Sequence, residues 1–133
     1  MKQGDITIQG QADHLPITFR SFFSRDLTTA SGTQVITGVG FKPSSIQVLG
    51  GLNNSAGICI GFAGQTQEIC IRNNHNETAD TWQHQAYLVN IVVSSGNDQR
   101  ATLTTMDTDG FTVEWVKTGS PTGSAAFWFL AYK

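Results

Sequence analysis

The apolar residues of this chain arrive in short runs, alternating or continuous, and each run is closed by a cluster of Gly, Asn, Asp or Ser. Nowhere do they recur at helical spacing over a useful length. Successive side chains of a strand face opposite ways, so runs of this kind, broken by turn residues, specify strands and reversals rather than helices. On that pattern we expect strands near residues 5–9, 17–23, 33–37, 45–49, 57–62, 67–72, 86–93, 100–107, 111–117 and 126–132. Ten short strands in 133 residues must bury their apolar faces against one another. The expected fold is therefore all-β, an antiparallel β-sandwich of jelly-roll-like character.

Two hairpins are specified in more detail. Ile58, Ile60 and Phe62 share one face of their strand, as do Ile69 and Ile71 of the next. A two-residue turn at Gly64-Gln65 places Ile60 opposite Ile69, Ile58 opposite Ile71 and Cys59 opposite Cys70. Glu68 and Arg72 then share the cysteine face. Opposed in this way, Cys59 and Cys70 approach closely enough for a disulfide. A reducing cytosol favours two small buried thiols instead, and an oxidising compartment reverses the balance. The second hairpin turns at Thr108-Asp109-Gly110 and points Phe111, Val113 and Trp115 one way, Thr112, Glu114 and Val116 the other. The closing run Ala125-Ala126-Phe127-Trp128-Phe129-Leu130-Ala131-Tyr132 is apolar on both faces, which suits a central strand or one covered by a neighbouring subunit.

Charge excludes several functions. Eight Lys and Arg against ten Asp and Glu give a net charge of −2, so the basic footprint of a nucleic-acid binder is missing. No apolar run approaches the roughly 18 residues of a membrane-spanning helix. The first residues, Met1-Lys2-Gln3-Gly4-Asp5, carry no apolar signal-peptide core. Gly38-Val39-Gly40 lacks the helix start and third glycine of a phosphate-cradling loop and reads as a bend. Asp107-Thr108-Asp109-Gly110 begins like a calcium loop, but its glycine comes too early and no bidentate Glu follows. Cys59, Cys70, His75 and His84 lack zinc-site spacing. With charged groups few and scattered, we expect no catalytic residue, no cofactor and no metal.

Recognition by a surface is the class that remains. The longest polar interval, residues 73–85, contains Asn73, Asn74, His75, Asn76, Glu77, Asp80, Trp82 and His84. Amides and carboxylates beside an aromatic face suit a saccharide, whereas the plainer reading is a solvated loop with Trp82 tucked into the core.

Thr37-Gly38-Val39-Gly40-Phe41-Lys42-Pro43, followed by Ser45-Ile46-Gln47-Val48-Leu49, resembles the opening of a β-sandwich module of bacteriophage and prophage virion proteins. The stretch from Asp107 through Gly110, Trp115 and Pro121 to the aromatic closing strand resembles the same module. Residues 33–132, about three-quarters of the chain, are covered. The resemblance implies a non-enzymatic virion component, made in the host cytoplasm: a capsid decoration or cement protein, a head fibre or a tail-fibre module. Its implied partners are copies of itself, as a homotrimer, and capsid or tail proteins. Residues 32–133 form the sandwich, and residues 1–31 are an N-terminal docking arm or the first strands. Ser21-Phe22-Phe23-Ser24-Arg25 supplies either a core edge or an anchor. At this length, without a shaft or repeat, decoration fits better than a whole fibre. The alternative is a tail-fibre adaptor or lectin-like module that binds host surface glycans through residues 73–85. Eight Phe and three Trp exceed the evident needs of one small core, leaving some for subunit contacts.

Overall fold

A computed structural model describes residues 17–53, 57–73, 81–84 and 86–133, with residues 81–84 described as backbone. Its ten strands are β1 (Thr18–Asp26), β2 (Gly32–Ile36), β3 (Ser45–Leu52), β4 (Ile58–Gly64), β5 (Glu68–Asn73), β6 (Thr81–His84), β7 (Val89–Ser94), β8 (Asn97–Asp107), β9 (Gly110–Thr118) and β10 (Ser124–Tyr132). They form two antiparallel sheets packed as a sandwich, as the pattern of short strands predicts. The larger sheet runs β1-β10-β3-β4-β5-β6 and the smaller β2-β9-β8-β7. β3 to β6 and β7 to β9 are meanders. The chain alternates between sheets at its two ends, through β1, β2 and β3 and again through β9 and β10. The strand expected at residues 5–9 lies outside the described residues.

Aromatic rings join the sheets. Phe23 of β1 stacks on Phe127 of β10 at 5.1 Å and meets Phe111 of β9 edge-on at 6.2 Å. Phe111 makes a T-shaped contact with Phe129 at 5.2 Å, and Trp115 lies beside Phe127. The two edge-on contacts of Phe111 bring the positive edge of one ring toward the negative face of another, adding to the area that burial removes from water. Phe111, Val113 and Trp115 share one face, as the second hairpin predicts, and that face is the fully buried one. β10 lies between β1 and β3, so the strand that is apolar on both faces is internal to its sheet.

Arg25, Gln99 and Trp115, enclosed by this packing, pair with side chains and backbone carbonyls. Arg25 donates from Nε to Gln99 Oε1 at 3.0 Å and from Nη2 to the Ala30 carbonyl at 2.7 Å, with its guanidinium over the Trp115 ring. Gln99 Nε2 donates to the carbonyls of Leu27 and Thr29, and Trp115 Nε1 to Gln34 Oε1. At one end of the sandwich, Gly38 and Gly40 both have positive φ, so the amides of both can converge on one anion. The Asp109 carboxylate fills that cradle, accepting from Gly38 N at 3.0 Å and Gly40 N at 2.7 Å. The Gly-Val-Gly bend is thus held by the turn of the β8–β9 hairpin.

Two expectations need correction. Ile60 pairs with Ile71, Phe62 with Ile69, Gly61 with Cys70 and Cys59 with Arg72, a register shifted by two residues from the expected one. Gly64 N donates to Gln67 O at 2.8 Å, so the reversal also includes Thr66 and Gln67. A shift of two leaves every side chain on its own face, so alternation alone cannot tell the two registers apart. The polar interval is also not one long loop, because Thr81–His84 pairs with β5 as strand β6. Its polar residues hide a strand whose alternation is weak.

Candidate functional site

The sandwich has two outer faces, and they differ in kind. On the smaller sheet the outward positions include Glu114, Thr112 and Thr102, and the bridge between Arg100 Nε and Asp98 Oδ1 at 3.1 Å. Arg100 also donates to Tyr87 Oη and Thr118 Oγ1, each at 3.1 Å. Val35 and Val116 are exposed among these polar groups. A sandwich surface in contact with water is expected to look like this.

The larger sheet turns a different face outward. Phe22, Trp128, Leu49, Ile60 and Ile71 are successive cross-strand partners and form one apolar row over β1, β10, β3, β4 and β5. Leu130, Phe62 and Ile69 flank the row on one side, and Ala126 and Ile58 on the other. Phe22 is 65% exposed, Trp128 64% and Ile71 47%. The rings of Phe22 and Trp128 lie 5.6 Å apart at a tilt of 57°. Charges on the outward positions of these five strands are confined to β1, at Arg20 and Asp26.

The bulky residues of β4 and β5 face out because the space beneath them is small. Inward from β4 come Cys59, Gly61 and Ala63, all buried. A Cβ on Gly61 would run into the Leu88 carbonyl, so the approach of the segment before β7 requires glycine there. Cys59 and Cys70 are free and buried under this part of the sheet. They are diagonal neighbours whose thiols hydrogen-bond. That bond holds the Cys59 thiol below its ordinary range and pushes Cys70 up, with burial also raising Cys70. The Asn90 amide donates to Cys59 Sγ at 3.5 Å.

A cleft of about 450 Å³ opens where the β4–β5 turn faces the β8 bulge, lined by Lys42, Gln65, Gln67, Glu68, Thr105 and Met106 among others. Glu68 accepts from Leu103 N at 2.9 Å, on the part of β8 that extends past its pairing with β7. Burial raises its carboxyl above the ordinary range, opposed by that bond and by one from the Leu88 amide. Glu68 thereby ties the two sheets together.

The residues expected to form a recognition loop are distributed differently. Asn73 ends β5, exposed and opposite Ile58. Trp82 and His84 belong to β6, where their backbones pair with Arg72 and Cys70. Asn74, His75, Asn76, Glu77 and Asp80 lie outside the described residues. Alternation does not mark the apolar row as a unit, although the two residues at its β1 end lie in segments that the sequence marks. The doubly apolar closing run contains Trp128. In the Phe22-Phe23 pair, Phe23 serves the core and Phe22 the surface.

No family model, curated protein or solved structure matches this chain.

Proposed function

We propose that this chain is a non-enzymatic structural protein of a phage virion that works by surface contact, as a capsid decoration or head-fibre protein. One observation carries the contact reading. A sandwich with a wet face on one sheet exposes a continuous row of large apolar side chains on the other. Soluble monomers rarely leave contiguous apolar patches beyond a few hundred Å² open to water, and larger ones mark contact sites. Sequence resemblance to phage β-sandwich modules supplies the virion context. Enclosed polar groups support the same reading, since Arg25, Gln99 and Glu68 are engaged in holding the sandwich together.

Co-sedimentation with purified phage capsids tests this, with host cells and soluble saccharides as parallel arms. Saturable binding to capsids is the expected result. Binding to cells or saccharides with none to capsids would overturn decoration in favour of a receptor-binding module.

A further inference from the structure

We infer that the apolar outer face of the larger sheet is occupied by another copy of this chain. The inference rests on the contact reading above and names the partner of that same face. Its area is of the right order. Five strands at about 4.8 Å spacing, each of about eight residues rising about 3.4 Å, outline roughly 650 Å² before side-chain relief is counted. Stable interfaces bury about 800 Å² on each partner.

Charge decides the partner. β10, β3, β4 and β5 present no charged side chain outward among the described residues. A two-fold contact between copies brings a patch against the same patch, so charges of one sign in its centre would be apposed and repel. This face has its two charged residues only on the edge strand, where Arg20 and Asp26 are of opposite sign. A capsid surface carrying charge would leave its own groups desolvated and unpaired against such a face. The wet face of the smaller sheet, with Glu114, Asp98 and Arg100, is left for a different partner.

The test is the solution mass of the purified chain by multi-angle light scattering across micromolar concentrations. The expected result is a whole multiple, two or more, of the 14.4 kDa chain mass. Trp128→Lys and, separately, Ile71→Lys place a charge in the row at exposed positions. Each is expected to weaken association at least tenfold, with the far-ultraviolet circular dichroism of the parent retained. Val116→Lys, on the smaller sheet, is expected to leave the mass unchanged. A monomeric parent, or an oligomer that both folded row variants leave intact, overturns the inference. The two readings fail separately. A monomer that binds capsids sinks self-association and keeps decoration, whereas an oligomer that ignores capsids does the reverse.

Discussion

Gln99 shows how much of this core depends on one amide. Its oxygen takes the Arg25 Nε–H, and its nitrogen serves the carbonyls of Leu27 and Thr29. Gln99→Leu fits the volume but strands a buried guanidinium donor and two carbonyls. We expect a loss of about 3 kcal/mol, read from chemical denaturation. Asp109 acts at the surface and through charge. Hydrogen bonds from Gly40 and Gly38 hold its carboxyl below the ordinary range, as those from the Thr112 and Thr105 hydroxyls do for Asp107. A carboxyl with a depressed folded pKa contributes stability above its unfolded pKa. That contribution is lost as pH falls through the folded value. The melting temperature should therefore drop on acidification below about pH 4, and Asp109→Asn should flatten that drop. Glu68 works the other way: its raised carboxyl favours the fold most at low pH and loses that advantage as pH rises through its folded pKa.

At the scale of elements, the β4–β5 hairpin is the instructive case. Alternation sorts its residues into an Ile/Phe face and a Cys/Ala face, and that sorting is legible without coordinates. Register is not legible, because pairings two residues apart keep the same faces. Which face turns inward is not legible either. It depends on the segment carrying Leu88, which is distant in sequence and crosses over Gly61. Gly61→Ala should accordingly cost about 3 kcal/mol or prevent folding, measured as soluble yield and denaturation midpoint. β6 was lost to sequence reading for a different reason: Thr81, Trp82, Gln83 and His84 offer no apolar alternation, and the strand exists because β5 offers it an edge. The Asp-Gly hairpin at Asp109 and the buried Phe111, Val113 and Trp115 were legible because turn chemistry and period agree there.

For the whole molecule, burial of a face charged only along its β1 edge predicts an assembly driven by apolar area. Its dissociation constant should vary little between low and high salt, since exposed charge pairs alone are strongly screened. Sedimentation at two ionic strengths measures this, and a steep salt dependence would place the contact on the Glu114 face instead. The position of β10 bears on when such a contact first becomes available. Among the described residues, β1 pairs in the larger sheet with β10 alone, whose first residue is made about a hundred residues after β1 ends. At ribosomal rates of about 5–20 residues per second, β1 waits several seconds for that partner. The row from Phe22 to Ile71 is continuous only once β10 has slotted in and placed Trp128 between them. Until β10 docks, Phe22 stands apart from the part of the row on β3, β4 and β5, so the continuous apolar surface is a property of the completed sandwich and not of any earlier arrangement of its strands.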